Sequence, residues 1–203
     1  MMYHTDLEAL ARVIMGRIFI PLEASGRHVH VTAQQAQALF GHGLTPKRPL
    51  SQPGQYLAQE RVTVIGPKGK LENVAVLGPE RKEAQVEISL PDGRTLGVTP
   101  PIRPSGSVDN SPGCILSGPN GQVGLRQGII AAQRHIHMTP EDAARMQVQD
   151  KQVVKLQVYS TRPLIFEDVL VRVSPDFATF AHLDYDEANA CGFRDGDLGR
   201  ILP

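Results

Sequence analysis

Two short stretches carry the residue types best able to do chemistry, "RHVHVT" at 27–32 and "RHIHMT" at 134–139. Each places two histidines one residue apart, so His28, His30, His135 and His137 account for four of the chain's seven histidines. On an extended strand, side chains at i and i+2 point to one face. The two imidazoles of each copy then stand side by side, while Val29 or Ile136 turns the other way into a core. Paired neutral nitrogens suit one borderline-soft cation, and zinc is the default choice. One such pair alone is commonly a surface feature. Two copies at matched places point to metal.

A catalytic zinc needs a third protein ligand and an open position. The order of elements after each histidine pair supplies the candidates. In the first half Thr32 and Gln35 have capping-box spacing and open a short helix, "AQQAQALFG", that Gly41 ends. "RVTVIG" and "ENVAVLG" read as a hairpin around "PKGK"; "AQVEIS" is a further strand, followed by a turn at "PDGR". In the second half Thr139 caps, Pro140 takes the first helical position and "EDAARMQ" is the short helix. "QVVKLQVYS" and "DVLVRVS" then make the hairpin, and "TFAHLDY" stands where "AQVEIS" stood. Glu87 and His182 occupy matched places in those last strands. The expected sets are His28, His30 and Glu87, and His135, His137 and His182.

Other candidates carry less. His4 and His42 have no matched partner and read as surface residues. Arg27 and Arg134 either orient ligands or form structural ion pairs. Arg81 lies six residues before Glu87 across a turn, where its planar fork can hold an anion bidentately. Cys114 and Cys191 have no neighbouring base and read as buried thiols, and two cysteines make no disulfide framework. The chain has no P-loop, dinucleotide fingerprint or G-x-S-x-G elbow.

The elements that position these residues are expected to form a mainly β fold, two duplicated β-barrel-like domains with short helices and an N-terminal amphipathic helix. A period this long is a domain duplication rather than a solenoid. The expected division is 1–20 for the helix, 21–100 for the first barrel, 101–125 for a Pro/Gly-rich connection with one strand, and 126–203 for the second barrel. The helix is "TDLEALARVIMGRI", residues 5–18, with Leu7, Leu10, Ala11, Ile14 and Ile18 along one stripe. It is either folded back on the body or a docking helix.

Lys plus Arg and Asp plus Glu both number 21, so the net charge is zero. Nucleic-acid binders carry a basic surplus against phosphate, and none exists here. No apolar run approaches the roughly 20 residues that span a bilayer, and no signal-peptide pattern opens the chain. A cytoplasmic protein is expected.

Longer stretches carry a resemblance. "LSQPGQYLAQERVTVIGPKG", "VLGPERKEAQVEIS", "PIRPSG", "GPNGQVGLRQGIIAAQRHIHMTPEDA" and "HLDYDEANA", with "RHVHVT", closely resemble the PduL-type phosphate acyltransferases, from about Pro21 to Gly192. The resemblance implies two β-barrel domains and two zinc ions per chain, bound at their junction. It implies interconversion of acyl-CoA plus phosphate with acyl phosphate plus CoA, propanoyl-CoA or acetyl-CoA being the substrate. Its metal ligands fall on His28, His30 and Glu87, and on His135, His137 and His182. Its phosphate-binding arginine falls on Arg81, and its CoA contacts include Ser25 and Asn189. Gly26 stands where the family often has Asn, and Ala181–Asp184 where it often has Met-His-Ile-Asp; both departures keep the ligands. Members inside bacterial microcompartments carry a short amphipathic N-terminal extension, so residues 5–18 are expected to dock on shell proteins there. A two-zinc thioester hydrolase and a non-catalytic, zinc-stabilised shell module are the competing readings, and a homo-oligomer is left open.

Overall fold

Alternation of apolar and polar residues makes the long strands of this protein half-buried ribbons. In "VVKLQVY" the even positions Val154, Leu156 and Val158 are buried while Val153, Lys155 and Tyr159 face out. The computed structural model describes residues 14–16 and 18–202. In chain order the strands begin with β1 (Ile20–Ser25) and β2 (His28–His30), and helix α1 (Ala33–Phe40) follows. Then come β3 (Pro46–Pro49), β4 (Tyr56–Ile65), β5 (Lys70–Gly78), β6 (Gln85–Glu87) and helix α2 (Leu90–Leu96). β7 (Ile102–Arg103), β8 (Cys114–Ser117), β9 (Gln122–Leu125) and β10 (Ile129–Ala132) lead to β11 (His135–Met138) and helix α3 (Pro140–Arg145). β12 (Val153–Tyr159), β13 (Leu164–Val173), β14 (Phe180–Asp184), helix α4 (Tyr185–Cys191) and β15 (Leu198–Leu202) complete the chain.

Two compact units result. One comprises Ser25–Gln133 with Asp184–Asp186; the other holds the described residues up to Ala24, Arg134–Leu183 and Glu187 onward. The first is built on a curled sheet ordered β7-β10-β6-β2-β5-β4-β8-β9, with β3 paired to β4. Its core gathers Val29, Leu39, Val64, Val76, Leu116 and Ile129. The second is a closed barrel, β1-β14-β11-β13-β12-β15, around Ile20, Ile136, Leu156, Val171 and Leu183.

The repeat read from the sequence is a repeat of strand pairing. β2 runs parallel to β5 and antiparallel to β6. β11 likewise runs parallel to β13 and antiparallel to β14. Both short helices open as expected: Thr32 and Gln35 close a capping box with Gly41 left-handed at the far end, and the Thr139 side chain accepts from the Asp142 amide.

Three local features differ from the sequence reading. "LPDGRTL" is helix α2 rather than a turn, because Ser89 and Asp92 form a second capping box and Gly97 ends it left-handed. Gly93 is tolerated inside it for a packing reason, since a Cβ there would lie 2.5 Å from Pro100. "YDEANAC" is helix α4. The Pro/Gly-rich stretch 101–125 carries β7, β8 and β9, where one strand is expected, and all three pair into the sheet. β1, which precedes the first histidine pair, closes the barrel of the second unit by pairing with β15. Of the N-terminal helix, Leu7, Leu10 and Ala11 lie outside the described residues; Ile14, Met15, Gly16 and Ile18 are helical. No helix among the described residues is long and apolar enough to cross a membrane.

Candidate metal centres

Strand register brings each expected set together. In an antiparallel pair, directly opposed residues have Cβ atoms about 4.5–5.5 Å apart. His28 stands opposite Glu87 on β6, and His135 opposite His182 on β14. The pleat puts His30 beside His28 and His137 beside His135, on the same face as those partners. The intervening Val29 and Ile136 are fully buried in the two cores. The donor atoms of His28, His30 and Glu87 all lie within 4.8 Å of one another, as do those of His135, His137 and His182.

In the first set the hydrogen bonds fix which ring nitrogen is available. His28 Nδ1 donates to the Gly26 carbonyl at 2.8 Å, and His30 Nδ1 donates to the Leu77 carbonyl at 3.3 Å. A carbonyl only accepts, so each Nδ1 carries a proton and each Nε2 faces the set. His28 Nε2 lies 3.5 Å from Glu87 Oε2. The other carboxylate oxygen, Oε1, accepts from Ser105 Oγ at 2.8 Å and from Gln85 Nε2. Gln85 is held in turn by its own bond to Ser105 Oγ, 2.9 Å, and by the Gly106 amide at its Oε1, 2.6 Å. Arg81 Nη1 reaches Ser105 Oγ at 3.5 Å. One hydroxyl therefore joins Arg81 to the Glu87 carboxylate.

Electrostatics follow from this packing. Burial works to strip His28 of its proton, but the Glu87 charge and hydrogen bond, with the Gly26 carbonyl, together outweigh burial and hold its pKa above the usual 6.5. Burial, then His28 and Arg81, push His30 down to about 2. Burial of Glu87 favours its neutral form, yet the His28 charge and hydrogen bond, with His30 and Ser105, hold its carboxyl well below the usual carboxylate range. The proton on His28 thus matches the buried carboxylate charge in the metal-free protein.

The second set is made of imidazoles alone. The ring centroids of His135, His137 and His182 lie 4.6–5.0 Å apart, and Phe177 covers His137 at 4.1 Å. Both ring nitrogens of His137 are buried with no hydrogen-bond partner among the described residues. Burial first, then His135, His182 and Arg172, push its pKa down to about 2, so the ring is neutral. An unpaired buried polar atom costs roughly 1–3 kcal/mol, and a cation bound by the set would satisfy one of the two nitrogens. Three convergent donors with no cysteine leave a coordination position open, the pattern of a catalytic rather than a structural zinc site. Both sets fit a divalent metal on these grounds.

The remaining candidates sort by their contacts. Arg27 pairs with the buried Asp92 carboxylate at 2.8 Å, tying the residue before His28 to the helix after Glu87. Arg134 pairs with Glu187 at 2.8 Å, donates to the Glu167 carbonyl at 2.6 Å and lies over Phe166. Both are structural ion pairs. Gly26 sits beneath the Tyr185 ring, where an added Cβ would lie 2.9 Å from it, so Asn does not fit at this position without moving Tyr185. Ser25 ends β1 half-buried, and Asn189 is exposed on α4. Cys114 and Cys191 are buried, and burial pushes the Cys114 thiol up to about 12. Neither is an activated nucleophile. His42 is exposed, and His4 lies outside the described residues. Sequence reasoning missed Gln85 and Ser105. "AQVEIS" does put Gln85 on the same strand face as Glu87, but Ser105 reaches the site only through folding.

Comparison with known proteins gives a consistent result. The family model for phosphate propanoyltransferase matches residues 21–194. A phosphate propanoyltransferase of Enterococcus faecalis is 55% identical over 183 residues, covering 89% of this chain and 87% of that protein. One from Listeria monocytogenes is 50% identical over 198 residues, 97% of this chain and 93% of its own length. One from Thermotoga maritima is 54% identical over 181 residues, 88% and 86%.

The charge balance of the first set sets a measurable titration. In metal-free protein, imidazole NMR should show His28 losing its proton above pH 6.5, while His30 and His137 stay neutral through pH 5. Glu87→Gln removes the carboxylate charge that raises His28 and leaves burial opposed by the Gly26 carbonyl, so His28 should then titrate lower than in the wild type. A wild-type His28 that titrates at or below 6.5 contradicts the ion pair.

Proposed function

The chain belongs to the phosphate propanoyltransferase family and is a phosphate acyltransferase, and from that premise we propose that it works on acyl-CoA with two zinc ions per chain. The reaction transfers a propanoyl or acetyl group from CoA to inorganic phosphate. A phosphate oxygen forms a bond to the thioester carbonyl carbon, the C–S bond breaks, and CoA leaves as thiolate. The reverse reaction makes acyl-CoA. His28, His30 and Glu87 would hold one zinc, and His135, His137 and His182 the other. Bound there, zinc supplies a Lewis acid for a carbonyl oxygen and a stabilising partner for a thiolate sulfur.

The chain's own residues do the positioning. Arg81 presents two parallel donors to phosphate, which fixes the orientation of the attacking oxygen as well as its place. Ser105 steadies Arg81 and Glu87 together. His30, kept neutral by burial, offers its lone pair without first losing a proton. Attack by phosphate is direct: the sequence carries no G-x-S-x-G elbow to activate a serine, and the two cysteines are buried thiols. Ser25 and Asn189 contact CoA. The observation that best supports the reading is Arg81 joined through one hydroxyl to a ligand of the first set.

CoA release from propanoyl-CoA and acetyl-CoA, with and without phosphate, tests this. Release should require phosphate and yield acyl phosphate; release without it marks a hydrolase and overturns the reading. Arg81→Lys should raise the KM for phosphate about tenfold or more, with the KM for acyl-CoA little changed, since a point charge replaces a two-pronged donor. An equal loss for both substrates removes Arg81 from the phosphate site.

Residues 5–18 are read as a docking extension for microcompartment shell proteins. Ile14, Met15 and Ile18 support this by their exposure, 49%, 42% and 41%. Deleting residues 1–18 should leave the transfer rate within about twofold, because every proposed ligand lies downstream, and should abolish co-purification with shells. Loss of activity together with folding would make the segment part of the core instead.

A further inference from the structure

The two sets differ in how they carry charge. Glu87 gives the first set a carboxylate among its own donors, and backbone carbonyls fix the tautomers of His28 and His30. The second set has three imidazoles and no acidic member. A carboxylate nevertheless stands directly behind it: Glu23 Oε2 lies 3.2 Å from His182 Nδ1, within hydrogen-bond distance. Glu23 comes from β1, the neighbour of β14 in the closed barrel. The His182 side chain is 9% exposed and that of Glu23 33%, so the imidazole is the more enclosed member of the contact.

We propose that Glu23 is a positioning residue for the second metal set, acting through His182. A carboxylate only accepts from the ring, so Nδ1 keeps the proton and Nε2 keeps its lone pair for the cation. The same bond fixes the ring's rotation and makes the imidazole a better donor. It also places one carboxylate a single residue away from a site that has none among its own ligands. The second set thus receives indirectly the charge that Glu87 gives the first directly. This rests on the reading of His135, His137 and His182 as a metal site.

The test uses full-length protein, stripped with a chelator and titrated with Zn2+ or Co2+ against a chromophoric competitor. Glu23→Gln keeps size and an acceptor oxygen but removes the charge; Glu23→Ala removes both. Glu23→Ala should weaken the second-set metal roughly 10- to 100-fold, with Glu23→Gln in between, and the first-set affinity should stay at its wild-type value. The Co2+ d–d bands of the second set should shift in both variants. Unchanged affinity and spectrum, with only the unfolding midpoint moved, would make Glu23–His182 an ion pair of the fold and overturn the proposal. Wild-type protein that takes up metal at the first set alone would overturn the reading beneath it. Should Glu23→Ala fail to fold, Glu23→Gln decides the matter.

Discussion

Cross-strand register is the constraint on which the rest depends. A histidine strand lies between two neighbours, parallel to the second strand of a hairpin and antiparallel to the strand that follows. The pleat sends both imidazoles to one face, and the antiparallel partner sends its own side chain to meet the first of them. A slip of one residue by the histidine strand would turn both of its imidazoles into the core and bring Val29 or Ile136 out, leaving Glu87 or His182 alone on the other face. Val29 and Ile136 hold the register from the other side, since both are fully buried. The apolar core and the polar site are thus two faces of the same short strands.

Burial gives that geometry its chemical consequence. Imidazoles packed away from water lose their protons easily, which suits them to a cation and makes them costly without one. The two sets meet the cost differently. The first balances a buried carboxylate with a proton on His28; the second leaves the nitrogens of His137 unpaired. The hydroxyl of Ser105 extends the first set outward to Arg81, so the arginine proposed to hold phosphate shares a support with a proposed metal ligand.

Much of this is legible in the amino-acid sequence. The histidine pairs, the Thr caps and both hairpins are local patterns, and duplication lets Glu87 and His182 be found by matching one half to the other. What the sequence conceals is held by tertiary contacts. Helix α2 hides behind Gly93, whose propensity opposes it, and behind a Pro-Asp-Gly run that reads as a turn. Pro91 itself fits a first helical turn, which Ser89, Asp92 and Arg27 close. The strands of 101–125 are two to four residues long and carry little periodicity. Ser105, just after β7, and Glu23, on β1, reach their sites from far along the chain, and neither belongs to a motif. That β1 joins the barrel of the second unit cannot be read from repeat order, because it precedes the first repeat.

Metal content measured beside activity tests the central claim most directly. Protein purified without chelator should hold about two zinc ions per chain, and His137→Ala should hold about one and lose most of its transfer rate. Wild-type protein that transfers acyl groups at full rate with no transition metal bound would contradict the account.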